Sequence, residues 1–284
     1  MTAGHCHGPL LSTYCHPASA CRVADLASRR MTALRNSAES ASGSPNVRGV
    51  PDGATVWWWR GATTVLAADL ALLDDSERRR LRRMRTAADA AEFVGNRASV
   101  RRVLAGLLDA APERIRLGRR PCPGCGDERH GPPAVLDPQV ECWISVSHTS
   151  GCGMLAVAAV PVGVDVERMR DVRVRDLASV VLTPSEARWL EGRPAGDAPI
   201  RAFLRCWTRK EAALKAVGVG LTVPLDGVET HPAVAGTVTV AAGVPGTPDA
   251  WSVTDLPVPA AWTASVALPA GTAGPVRLRP HTGD

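Results

Sequence analysis

Lys210 and Lys215 are the only lysines in the chain, and both lie in one short segment, Lys210-Glu-Ala-Ala-Leu-Lys215; every other strongly basic side chain is arginine. Lysine differs from arginine in being a compact point charge whose pKa its surroundings can move. A site that shifts a proton or holds a phosphoryl oxygen at short range can require that difference. Upstream lies Val164-Asp165-Val166-Glu167. In a strand, Asp165 and Glu167 share one face while the valines share the other. Two adjacent carboxylates repel unless a positive charge stands between them, and a hard divalent cation such as Mg²⁺ is the usual solution beside phosphates. An ordinary solvent-facing strand edge explains the tetrapeptide equally well.

With Glu211, the chain offers three carboxylates and two lysines, and Ser147-His148-Thr149 ends another predicted strand. Acids for a metal and cations for phosphates suit phosphoryl transfer, which rests mainly on positioning and charge neutralisation. A hydrolytic Ser147–His148 pair is disfavoured, because neighbours on a strand face opposite ways. On residue type alone, His148 reads as a structural histidine.

These residues need elements to position them. Phe203, Trp207, Leu214 and Val217 fall on one stripe of a predicted helix. Lys210 falls within that stripe, where a charge is expected only if paired or liganded. Glu211 and Lys215 are spaced as an i, i+4 pair, and Gly218-Val-Gly220 supplies a C-cap. Ala54–Arg60 reads as a Trp-rich strand. Asp74-Asp-Ser-Glu77 opens an Arg-rich helix, and a second helix is predicted from Ala87 to Asp109. A Gly/Pro/Cys-rich loop from Arg119 to Pro133 precedes strands at Cys142–Ser147, Met154–Val160 and Val164–Glu167. A helix-rich segment from Val174 to Val217 follows, then strands at Gly236–Ala241, Trp251–Thr254 and Trp262–Leu268. No βαβ series, GxGxxG or Walker loop occurs. The expected fold class is α+β in two comparable halves, 54–160 and 161–284. Residues 1–53 are expected to be a disordered extension. Its His5-Cys6-His7, Cys15-His16 and Cys21 match no common zinc module, and Met31 is an alternative start.

The net charge of +5 permits an acidic partner or a polyphosphate ligand without demanding nucleic acid. No apolar run reaches membrane-spanning length and no signal peptide is evident, so a cytoplasmic protein with reduced cysteines is expected. The run Arg78 to Arg85 reads as a solvated helix face. No nucleic-acid-reading motif accompanies it.

Gly163-Val-Asp-Val-Glu167, followed by Trp207-Thr-Arg-Lys-Glu-Ala-Ala-Leu-Lys-Ala-Val-Gly-Val-Gly-Leu221, resembles the paired signature of the 4′-phosphopantetheinyl transferases, in particular their longer, surfactin-type branch. Ser147-His148-Thr149-Ser-Gly151 stands where that family has its Ser-His motif, and the similarity runs from about Thr55 to Leu268. The resemblance implies transfer of the phosphopantetheine arm of coenzyme A to a serine of an apo carrier protein, releasing 3′,5′-ADP. It implies two similar halves related by a pseudo-twofold, with coenzyme A in the cleft between them. Asp165, Glu167 and Glu211 would hold Mg²⁺, Glu211 and Lys215 would be catalytic, and His148 would meet the 3′-phosphate of coenzyme A. Ser147, Arg80, Arg97 and Lys210 are further coenzyme A candidates. The implied partners are acidic acyl or peptidyl carrier proteins acting with a monomeric enzyme. A catalytically impaired coenzyme A-binding protein, or a basic nucleic-acid-binding scaffold, is the alternative.

Two features depart from the pattern. The family's Gly-Lys-Pro is here Gly131-Pro132-Pro133, with Arg129 or Arg120 as candidates for the missing charge. Cys122-Pro-Gly-Cys125 with His130 supplies only part of a zinc ligand set, so a tight turn is the favoured reading, with zinc left open.

Overall fold

The computed structural model describes residues 50, 52–170, 172–220, 223–244 and 246–282. Expectations for the N-terminal tail, including its His/Cys stretch and Met31, lie outside the described residues, as does Leu221. The described residues belong to the compact unit Asn46–Asp284, and its mixed α+β architecture agrees with the expected class.

The first part of the chain gives β1 (Ala54–Arg60), α1 (Ala67–Ala71), α2 (Asp75–Leu81), α3 (Ala87–Leu108), β2 (Arg116–Arg119), β3 (Pro133–Asp137), β4 (Trp143–Thr149) and β5 (Cys152–Ala158). The second gives β6 (Gly163–Arg168), α4 (Val174–Val181), α5 (Pro184–Glu191), α6 (Asp197–Val217), β7 (Thr237–Val240), β8 (Trp251–Asp255), β9 (Trp262–Pro269) and β10 (Val276–Pro280). One sheet runs β10-β1-β5-β4 and the other β6-β9-β8-β7. In each, the strand before the long helix pairs antiparallel with the second strand of a later hairpin, β1 with β5 and β6 with β9. The chain end then crosses back, since β10 joins the first sheet parallel to β1. The hairpin of β2 and β3 was not legible in the sequence; its strands flank the Cys-rich loop.

Alternation along the strands builds the layers. On the first sheet, Trp59, Ile144, Leu155 and Val157 pack with Val100, Val103 and Leu104 of α3. Val56, Met154 and Ala156, of opposite parity, pack with Val164, Val166, Ala264 and Val266 of the second sheet. The other face of that sheet, through Val240, Trp251, Val253 and Ala267, packs on Ala212, Ala213 and Ala216 of α6. The predicted Val174–Val217 segment is three helices. Thr183 opens α5 with a capping box to Glu186, and α6 ends at Gly218 in the left-handed region, φ 86°.

Candidate active site

The second sheet meets the first along β4 and β6, and the contact is a ladder of side chains. Ser145, Ser147 and Thr149 project from alternate positions of β4, and their hydroxyl oxygens accept the N–H groups of Val164, Val166 and Arg168 at 3.1, 3.3 and 3.3 Å. Three hydroxyls thus satisfy the outer edge of β6, whose backbone donors would otherwise be left without partners near the core.

The valines of β6 occupy the core between the sheets, so Gly163, Asp165 and Glu167 face α6. Gly163 lets the strand lie directly on that helix: a Cβ there would stand 1.9 Å from the Ala212 carbonyl oxygen and 2.4 Å from the Ala216 nitrogen. The close approach brings Lys215 to Asp165, Nζ to Oδ1 2.6 Å. Lys215 also donates to the Val164 carbonyl and to Ser147 Oγ, at 3.2 and 3.1 Å. Ser147 Oγ donates to Asp165 Oδ1 at 2.9 Å. With one proton given and two N–H groups accepted, from Val166 and Lys215, its hydrogen-bonding capacity is filled. Ser147, a coenzyme A candidate by resemblance, is therefore a positioning residue for Asp165 and Lys215.

The acids carry more negative charge than Lys215 offsets. Burial, then Asp165, pushes the Glu167 carboxyl up to about 8, with Arg170 and Lys215 opposing. Burial, then Asp165, likewise pushes Glu211 up to about 7, with Lys215 opposing. Thr149 Oγ1 donates to Glu167 Oε2 at 3.4 Å. Asp165 Oδ2 and Glu211 Oε1 are buried with no hydrogen-bond partner. Buried carboxylate oxygens are normally satisfied. Orphaned hard oxygen donors among three mutually repelling carboxyls are what a divalent cation such as Mg²⁺ fits.

A cationic group lies on the first half's side. Asp74 and Glu77 cap α2 reciprocally, and Glu77 in turn holds Arg101 at 2.8 Å and Arg97 at 3.4 Å. The guanidinium carbons of Arg80 and Arg97 stand 5.2 and 5.5 Å from the Phe93 ring centre. Burial pulls the Arg97 guanidinium below its usual value; Glu77 opposes this, while Arg80, Arg101 and Arg119 add to it. His148 points away from Ser147, on the opposite face of β4. Burial of the imidazole, then Arg97, Lys215 and Arg80, pushes it down to about 4, which favours the neutral form at pH 7.

Lys210 lies elsewhere. It is fully buried, pairs with Glu186 of α5 at 2.6 Å and donates to the carbonyls of Leu225 and Val228 at 2.8 and 2.6 Å. Three acceptors fill its three N–H groups, so Lys210 is a structural tie and not a coenzyme A ligand. The candidates for the charge missing at Pro132 are also committed elsewhere. Arg120 stacks over Trp143 and donates to the Cys142 carbonyl, and Arg129 is highly exposed and paired with Asp127. Arg119, which donates to the Gly131 carbonyl, is the arginine of this region that acts on Arg97. Sequence reasoning passed over Thr149, Glu77 and Arg119. Hydroxyls at alternate positions of Ser145-Val-Ser147-His-Thr149 were the available signal for Thr149.

Residues 161–267 match the family model of the 4′-phosphopantetheinyl transferase superfamily. A Synechocystis protein provisionally named a 4′-phosphopantetheinyl transferase is 29% identical over 176 residues, 61% of this chain and 68% of its own. The L-aminoadipate-semialdehyde dehydrogenase-phosphopantetheinyl transferase of Schizosaccharomyces pombe is 29% identical over 56% of this chain and 64% of its own. A 4′-phosphopantetheinyl transferase of Bacillus subtilis is 32% identical over 29% of this chain and 36% of its own. The matched family region holds β6, α6 and most of β9, and so all three carboxylates together with Lys215. Over residues 161–267, and across much of the length of the first two relatives, the chain is thus similar to the 4′-phosphopantetheinyl transferase superfamily.

Proposed function

We propose that this protein transfers the 4′-phosphopantetheine arm of coenzyme A to a serine of an apo carrier protein, with Asp165, Glu167 and Glu211 holding Mg²⁺. The observation that carries the reading is the acid cluster with its two orphaned oxygens, one of whose carboxylates, Asp165, pairs with Lys215. One end suits a cation and the other suits phosphate, as a pyrophosphate donor requires. When bound, Mg²⁺ would neutralise charge on the pyrophosphate of coenzyme A.

The chain's own residues supply the rest. Glu211, ionised when the cation is bound, would take the carrier serine's proton. The serine oxygen forms a bond to the phosphorus bearing pantetheine, and the bond from that phosphorus to the bridging oxygen breaks. The electron pair leaves with 3′,5′-ADP, whose growing charge Lys215 stabilises. Neutral His148 donates one N–H to the 3′-phosphate, and Arg80 and Arg97 add charge there. The partners are acidic carrier proteins, the α2 arginines contribute to their approach, and the protein acts in the cytoplasm as a monomer.

Intact-mass measurement of an apo carrier incubated with the protein, coenzyme A and Mg²⁺ tests this reading. A gain of one phosphopantetheine arm that EDTA abolishes is expected. No gain across acyl and peptidyl carriers would overturn it.

A further inference from the structure

The Cys-rich loop lies apart from the acid cluster, between β2 and β3, and the proposed reaction makes no use of it. Cys122 Sγ, Cys125 Sγ and a ring nitrogen of His130 all lie within 4.8 Å of one another, and Cys125 Sγ is 3.1 Å from His130 Nε2. This is the set of soft and borderline donors that zinc takes, with about 2.3 Å to sulfur and about 2.0–2.1 Å to nitrogen. Around a tetrahedral ion such atoms stand roughly 3.5–3.8 Å apart, so only small side-chain shifts are needed, with Cys125 Sγ and His130 Nε2 opening slightly from 3.1 Å. Carboxylate sites of the Mg²⁺ kind have no thiolate.

The backbone is shaped for the same purpose. The Gly126 N–H donates to the Cys122 carbonyl at 2.7 Å, and the Cys122 N–H to the Asp127 carbonyl at 3.0 Å, closing a tight knuckle. Cys122 is buried, Cys125 half-buried and His130 exposed, so an ion can enter from solvent. The knuckle also rests on α6: a Cβ on Gly218 would stand 2.4 Å from Pro132 Cγ and 3.4 Å from Pro123 Cδ. Gly218 follows directly on the helix that carries Glu211 and Lys215.

We propose that Cys122, Cys125 and His130 form a site for a thiophilic divalent ion of the zinc class, which braces the loop 120–132 against the C-terminal end of α6. Water completes the coordination, as in three-ligand zinc sites. The loop takes the place of the family's Gly-Lys-Pro approach with Gly131-Pro132-Pro133, so the ion supplies rigidity where this chain has no lysine.

The test uses Co²⁺ as a spectroscopic probe on the full chain, reduced and stripped of metal. One Co²⁺ per chain with a near-ultraviolet thiolate-to-metal charge-transfer band is expected, displaced by equimolar Zn²⁺. Cys125→Ser should abolish the band, and His130→Ala should weaken binding by about tenfold or more. His130 is exposed, so the second variant is not expected to disturb folding. Asp165→Asn should leave the band unchanged, separating this site from the carboxylates. No band, or a band that persists in Cys125→Ser because the His/Cys tail produces it, would overturn the proposal. A band lost in Asp165→Asn would overturn it as well.

Discussion

Ser147 is the residue on which the arrangement of the acid cluster turns. Its single hydroxyl joins Asp165, Lys215 and the Val166 amide. Removing it leaves buried polar groups unmatched, at a cost of about 1–3 kcal/mol. Ser147→Ala is therefore expected to lower the melting temperature by several degrees, at about 2–4 °C per kcal/mol. It should also lower the maximal transfer rate, by about tenfold for each 1.4 kcal/mol of lost positioning. Steady-state kinetics alongside thermal melting checks this. A raised KM for coenzyme A with stability unchanged would instead make Ser147 a ligand contact. Lys215 and Glu211 were legible in the sequence because helical spacing and the family signature agree on them. The role of Ser147 was not, since it depends on which strand lies opposite β4, a tertiary fact that alternation alone does not carry.

Among the elements, α6 has two working sides. One carries Glu211 and Lys215 to β6; the other carries Lys210 and Arg209 to α5 and to the segment 225–236. The sequence marked Lys210 as paired or liganded, because it interrupts an apolar stripe. It could not name Glu186 as the partner, since that pairing exists only once α5 folds against α6. A buried ion pair that loses one member strands a charge, typically costing about 3–5 kcal/mol. Lys210→Met is expected to destabilise by about that much and to leave the KM for coenzyme A unchanged in the folded fraction. Adding Glu186→Gln should recover part of the loss. Urea unfolding of both variants is the check, and a KM effect without destabilisation would return Lys210 to the ligand set. Among the element boundaries that sequence reading placed well are α3, opened by the Thr86 cap and closed at Asp109 in the left-handed region, and β6, whose valines alternate with its acids. Hairpin β2–β3 escaped because its strands are short and separated by the metal-like loop.

At the scale of the whole molecule, the site stores repulsion that a bound cation would relieve. Glu167 and Glu211 have folded pKa values of about 8 and about 7, above the ordinary 4.5, so the metal-free native state binds protons that the unfolded chain has released. Their contribution to stability is full below the ordinary value and is lost as pH rises through about 7 to 8. His148, depressed from 6.5 to about 4, works in the other direction: its contribution is present above its ordinary value and is lost as pH falls towards 4. The melting temperature in EDTA is therefore expected to fall between about pH 6.5 and about pH 8.5. Mg²⁺ should remove much of that fall, because the cation replaces the protons. A melting temperature in EDTA that is flat or rising over this window would show that the carboxyls are not under the strain their burial implies. Among the described residues, no helix is long and apolar enough to cross a membrane.

The most direct test of the central claim is to count Mn²⁺ bound in the presence of coenzyme A, by electron paramagnetic resonance, in the native protein and in Asp165→Asn, with transfer measured on the same samples. Mn²⁺ prefers oxygen donors and so reports the carboxylates and not the thiolate knuckle. The expected result is one Mn²⁺ per chain in the native protein. In the variant, affinity should fall by about tenfold or more, and transfer by about a hundredfold or more, with far-ultraviolet circular dichroism showing that the chain still folds. An Asp165→Asn protein that binds Mn²⁺ and modifies carriers as well as the native chain would contradict it.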